Sequence, residues 1–150
     1  MGKLILVANW KENGLLEETR NWFNQMVENK QLLDQNTQIV VCPPLTSLQF
    51  LSWNVNNKGL PIAIGTQDIS RFEEGKHTGE VSVKMVKELA TYVIVGHSER
   101  RADLGETDEI VSQKAKLANS QGLKTIVCIS EIIQANSLKK LFSELHFFSE

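Results

Sequence analysis

The sequence predicts an α/β protein built on a parallel sheet, and three observations carry that prediction. Short apolar runs of strand length alternate with longer stretches of helical periodicity, the pattern of repeated strand, helix, strand units with right-handed crossovers. The runs are nearly continuous in Val, Ile and Leu, which fits strands buried on both faces rather than strands with one wet face. Two of them stop abruptly at polar residues capable of chemistry: Ala8-Asn9-Trp10-Lys11 and Tyr92-Val93-Ile94-Val95-Gly96-His97-Ser98-Glu99-Arg100-Arg101. That is where catalytic groups sit when they occupy the carboxyl ends of parallel strands. The architecture is therefore a doubly wound sheet or a barrel.

In chain order, strands are predicted near residues 3–8, 38–42, 61–65, 91–95 and 124–128. Helices are predicted near 15–30, 45–57, 80–88 and 106–119. A last helix near 135–147 carries Leu138, Leu141 and Leu145 at the i, i+3, i+7 spacing of one apolar face. Pro43-Pro44 stiffens the exit from the second strand and is expected to delay the helix that follows. Gly105-Glu106-Thr107-Asp108 reads as a helix start, with Thr107 and Asp108 as candidate caps. The long irregular piece from Thr66 to Gly79 is rich in Gly and charge, and a loop of that length inside a compact unit is more often functional than idle.

Composition excludes several classes. The 150 residues are 41% hydrophobic and 23% charged, ordinary for a globular chain and unlike disordered or fibrous sequences. Sixteen Lys and Arg against eighteen Asp and Glu leave a formal charge of −2, so neither nucleic acid nor an anionic membrane surface is favoured, and any anion site is local. Leu4 to Ala8 is too short for the apolar part of a signal peptide, and no apolar run is long enough to span a membrane. Cys42 and Cys128 lie far apart, each at the end of a β-rich run, with no metal-ligand spacing around them. They read as buried reduced thiols of a cytoplasmic protein, and neither a metal nor a cofactor is expected.

The candidate site residues follow from the strand ends. Alternation along an extended chain would aim Asn9 and Lys11 to the same side, where an ammonium and an amide could hold a small anionic, carbonyl-bearing substrate. Taken alone, the pair also fits a polar strand terminus with its Lys in solvent. His97 opens what reads as a short helix; there the positive end of the helix dipole disfavours imidazolium, leaving a neutral hydrogen-bond donor able to polarise a carbonyl and shuttle protons. A capping or packing histidine is the alternative. Glu99 beside it is placed to pair with Lys11 across neighbouring strand ends, or simply to start a solvated helix. Thr78 and Glu80, with Gly75 and Gly79, lie on the long loop, which suits entry into a partner's pocket as well as free exposure. His77 and His146 read as surface residues.

Together the ordered motifs Ala8-Asn9-Trp10-Lys11, Val41-Cys42-Pro43-Pro44, Gly65-Thr66-Gln67-Asp68, Gly75 through Ser82, Tyr92 through Arg101, Gly105 through Asp108 and Val127-Cys128-Ile129 resemble the triosephosphate isomerase family over about the first 131 residues. The resemblance implies a (β/α)₈ barrel, here an incomplete parallel half-barrel of five βα units forming one partial domain over residues 1–150. It implies interconversion of dihydroxyacetone phosphate and glyceraldehyde 3-phosphate through an enediol, in glycolysis and gluconeogenesis. Asn9 and Lys11 would then contact substrate, His97 would be the neutral electrophile and proton shuttle, and Glu99 would support Lys11 and His97. The Thr78 loop would enter the other subunit of a homodimer, with Thr78 buttressing that subunit's Asn9 and Lys11 and Glu80 pairing with its Arg100.

Glu12, Ser130 and the Ala102-Asp103-Leu104 segment depart from the family pattern, and the segment before Tyr92 is about one residue short, which could shift the register that aims His97. Nothing after Glu131 resembles the family's carboxylate base, lid loop or phosphate-binding loops. The chain alone is accordingly expected to be inactive, with sheet edges and interior layers open to water. The alternative is a non-catalytic fragment, or half of a split enzyme that associates with a complementary or full-length chain.

Overall fold

A computed structural model of the protein describes residues 4–34 and 36–129. Five strands, β1 (Leu4–Asn9), β2 (Thr37–Cys42), β3 (Ile62–Thr66), β4 (Tyr92–Val95) and β5 (Lys124–Val127), form one sheet in sequential order with every neighbour parallel. The helices are α1 (Leu16–Glu28), α2 (Leu45–Lys58), α3 (Val83–Val86), α4 (Ser98–Leu104) and α5 (Asp108–Ser120). The sheet curls. Unpaired β2 and β4 touch across its concave side, where Val40, Cys42, Tyr92 and Ile94 are buried with Val7, Ala63, Ile126 and Cys128 packed against them. This is half of a parallel barrel, with two cores divided by strand alternation. The inner core is the one just named. The outer core joins Val41, Ile62, Ile64, Val93 and Val95 to Leu48, Leu51 and Val55 of α2 and Val111, Ala115 and Ala118 of α5.

The inward-facing positions explain one glycine. A Cβ on Gly65 would stand 2.6 Å from Cys42 Sγ and 3.2 Å from Tyr92 Cβ, so the curl between β2 and β4 closes only over a residue without a side chain.

Five expectations need correction. The helix predicted over 80–88 is a single turn at Val83–Val86, capped by Ser82 Oγ accepting from Met85 N–H; the residues before it continue the irregular segment. Pro43-Pro44 does not delay the next helix. Pro44 serves as the N-cap of α2 at φ −61°, since proline's fixed φ and missing N–H cost nothing at a helix start. Asp108 is the first residue of α5 rather than its cap, which is Thr107, accepting from Ile110 N–H. β1 is not buried on both faces: Leu4, Ile5 and Leu6 are 67%, 53% and 57% exposed, and among the described residues β1 pairs only with β2. The inner residues of β2 and β4 are not open to water. The helix predicted near 135–147, Ser130 and His146 lie outside the described residues. No described helix is long and apolar enough to cross a membrane.

Candidate active site

The carboxyl ends of the strands carry the polar residues. β1 ends at Asn9, and two residues later Lys11 adopts φ 54°, the left-handed conformation that L-residues rarely hold. Asn9 and Lys11 are therefore not aligned by extended alternation. They reach one cleft because Asn9 Oδ1 accepts the Lys11 N–H at 3.0 Å and the chain turns back on itself. Trp10 anchors the turn, donating its N–H to the Cys42 carbonyl and packing its ring edge-on against Trp22 of α1 at 5.1 Å.

β4 ends at Val95, Gly96 follows at φ 70°, and His97 is the N-cap of α4. Glycine is required at 96 on two counts, its positive φ and its packing: a Cβ there would lie 2.8 Å from Val111 Cγ1. The His97 Nδ1 accepts the Glu99 backbone N–H at 3.3 Å. With Nδ1 engaged in this way, Nε2 is left to serve as the ring's donor. Glu99 Oε2 lies 3.4 Å from the same Nδ1, but the backbone N–H holds the lone pair and that contact is secondary.

Glu99 Oε1 meets Lys11 Nζ at 2.6 Å, 88 positions away in sequence. The hydrogen bond from Lys11 holds the Glu99 carboxyl below its usual range, and the nearby ammonium charge adds to it. Asn9, Lys11, His97, Glu99 and Arg100 thus line one open cleft of about 510 Å³, together with Glu12 and Gln67. The Lys11 ammonium, the Asn9 amide and the His97 imidazole line a space of small-molecule size. A short-register His97 aimed elsewhere is not what the fold contains.

Behind the cleft lies a charge cluster that sequence reasoning missed. Lys114 of α5 is 5% exposed at its side chain and bonds both oxygens of Asp68, at 2.8 and 2.7 Å, and Glu106 Oε1 at 2.6 Å. Arg100 joins from α4, with Nη2 2.8 Å from Asp68 Oδ2 and Nε 2.7 Å from Glu106 Oε1. Burial pushes Asp68 up, opposed by Lys114 and Arg100. For Glu106 burial also pushes up, but the hydrogen bonds from Lys114 and Arg100 outweigh it and hold the carboxyl below its usual value. A signal existed: Lys114 shares a face with Val111, Ala115 and Ala118, so a charge on that stripe had to be buried. Arg101 ties α4 to its own strand end, donating from Nε to the Gly96 carbonyl and from Nη1 to Asp108.

The remaining candidates are placed as follows. Arg100 pairs with Asp68 and Glu106 of its own chain, and its side chain remains 33% exposed. Thr78 and Glu80 are exposed on the loop between β3 and α3, and Glu80 lines a second depression with Lys11, Gln67, Asp68 and Arg100. His77 is on the surface, stacked on Phe72 with ring centroids 3.9 Å apart. Both cysteines are free; burial pushes Cys42 to about 12, while Cys128 is only half-buried, and Arg101 partly offsets its rise. Among the described residues no cluster of three or more His, Cys, Asp or Glu could hold a metal.

With this geometry in place, the sequence model of the triosephosphate isomerase family matches residues 4–146. The chain belongs to that family. It is similar to the triosephosphate isomerase of Gluconacetobacter diazotrophicus, 42% identical over 128 aligned positions that cover 85% of this chain and 51% of the relative. The enzymes of Dehalococcoides mccartyi and Trichodesmium erythraeum are 39% and 36% identical, covering 91% and 100% of this chain and 53% and 61% of theirs. The chain thus spans about half the length of the triosephosphate isomerases it matches. Within the family half-barrel, the Lys11, His97 and Glu99 cleft lies at the carboxyl end of the sheet, the face where barrels of this class carry their chemistry.

Proposed function

We propose that this chain carries the amino-terminal portion of a triosephosphate isomerase site, acting on dihydroxyacetone phosphate and glyceraldehyde 3-phosphate through an enediol, in the cytoplasm. Lys11 binds the substrate's negative charge and offsets the enediolate as it forms, and Asn9 donates a hydrogen bond from its amide. His97, with its proton on Nε2, donates to the substrate oxygens and moves the proton between them. Glu99 keeps the Lys11 ammonium and the His97 ring in register. The observation that carries this reading is the 2.6 Å contact of Lys11 with Glu99 beside the imidazole whose Nδ1 is already occupied.

This reading assigns no described residue to removal of the carbon-bound proton, and on it the chain by itself does not turn over. Thr78, Glu80 and Arg100 contribute to a homodimer contact in the assembled protein. A coupled isomerase assay on the purified chain tests this: no turnover is expected, and a rate comparable with intact family members would overturn it.

A second reading has its own support. Leu4, Ile5 and Leu6 are exposed on β1, whose one strand partner among the described residues is β2, a surface that calls for a further strand and its covering layer. On that reading the chain is half of a split enzyme. Co-expression with a chain carrying the last three βα units of a relative should give a co-purifying, active complex, and failure of the two to associate counts against it.

A further inference from the structure

The left-handed backbone of Lys11 needs something to hold it, and side-chain hydrogen bonds grip both its N–H and its carbonyl. Asn9 Oδ1 accepts the Lys11 N–H. On the other side, Gln67 Nε2 donates to the Lys11 carbonyl at 2.8 Å and to the Cys42 carbonyl at 3.0 Å. Gln67 follows β3, Cys42 ends β2, and Lys11 follows β1, so one amide group ties together three strand ends. The Cys42 carbonyl also accepts the Trp10 N–H, which makes it the fixed point of the arrangement. Both N–H groups of the Gln67 amide are used, and a residue lacking two donors at that distance cannot replace it.

We infer that Gln67 is a positioning residue: by gripping the Lys11 carbonyl it holds residue 11 at positive φ and thereby directs the ammonium to Glu99 and into the cleft. The inference rests on the proposed role of Lys11 as the anion-binding group. Strain of this kind persists only where the surroundings over-determine it. Here the N–H is held from β1's own end and the carbonyl from β3's end. Without the second grip, residue 11 relaxes to negative φ and the side chain leaves on a different vector.

The test uses the 150-residue chain, with dihydroxyacetone phosphate itself as the probe. Binding is followed by NMR through the Lys11 side-chain signals, and φ at Lys11 through the short intraresidue HN to Hα distance that a positive φ produces. Gln67→Met keeps length and removes both donors; Gln67→Glu keeps shape and presents oxygens to two carbonyls. Both are expected to lose the positive-φ signature and to weaken probe binding about tenfold, with the Phe72 to His77 loop signals unchanged. Retention of the signature, or undiminished binding, in either variant overturns the inference. Failure of the unmodified chain to bind the probe instead overturns the functional reading and leaves the φ measurement to decide the role of Gln67.

Should Gln67→Met not fold, Lys11→Gly in the same chain is expected to recover it, because glycine takes positive φ without help. A double variant that also fails to fold would show that Gln67 acts on the fold at large, and the inference falls.

Discussion

Lys11 and Lys114 each place an ammonium 2.6 Å from a glutamate oxygen, one pair half in water and the other sealed inside. The side chains of Lys11 and Glu99 are each 51% exposed; those of Lys114 and Glu106 are 5% and 6% exposed. In water-facing geometry such a contact contributes little to stability, and its value lies in where it points the charge. In the buried geometry the charges have lost their hydration and must compensate one another, so removing one partner strands the rest. The same pairing is thus an aiming device at the cleft and a structural joint behind it. Arg100 belongs to the buried set, and the adjacent Glu99 to the exposed one. Helix α4 is where the two meet.

The sharpest way to break this contrast is Lys114→Met, which leaves Asp68 and Glu106 with only Arg100 to offset them. It is expected to cost about 3–5 kcal/mol, read as a fall in the urea midpoint; a loss no greater than that of an exposed Lys substitution would mean the cluster is not a joint. Next is Gly96→Ala, which places a methyl group against Val111 at a left-handed position and links the two regions through the strand end that precedes His97. A cost of about 2 kcal/mol is expected, along with a shift of the His97 ring signals.

Acidity separates the members of the cluster by sign. Glu106 is held below its ordinary value of 4.5, so the stability it contributes is fully present above that pH and is lost as pH falls through its lower folded value. Asp68 is raised above its ordinary 3.8, so its contribution is present below that value and is lost as pH rises through its folded one. The gap in unfolding free energy between the parent chain and Glu106→Gln should therefore narrow from pH 7 to pH 3, and a constant gap would contradict the assignment.

Smallest of all is the effect of Glu99→Gln on stability. Its carboxyl is depressed by Lys11 but stands in solvent, so the melting temperature should barely move and should respond to salt. Its effect should appear in the Lys11 side-chain signals instead. A melting temperature lowered as far as by Lys114→Met would erase the distinction between the two lysines.

Much of this was legible in order along the chain. All five strands lie within about a residue of their expected places, because runs of Val, Ile and Leu leave little freedom about which backbone is buried. Asn9, Lys11, His97 and Glu99 were legible as strand-end residues. The way Asn9 and Lys11 converge was not, since alternation assumes an extended chain and Lys11 is left-handed. The single turn at Val83–Val86 was overestimated for a related reason: apolar spacing marks a face to be buried and says little about how many residues take helical φ and ψ to bury it.

By itself the sequence determined the parallel order of strands and helices and the polar groups at the strand ends. These follow from local physics: side-chain volume, backbone sterics and hydrophobic periodicity act between near neighbours. Tertiary structure alone decided that Gln67 grips the turn after β1 and that Lys114 finds two carboxylates on other elements, whereas the pairing of Glu99 with Lys11 across strand ends was already expected from the sequence. Such contacts depend on the curl of the sheet and the resulting distances, because hydrogen bonds and ion pairs are made between positions in space that no spacing along the chain encodes.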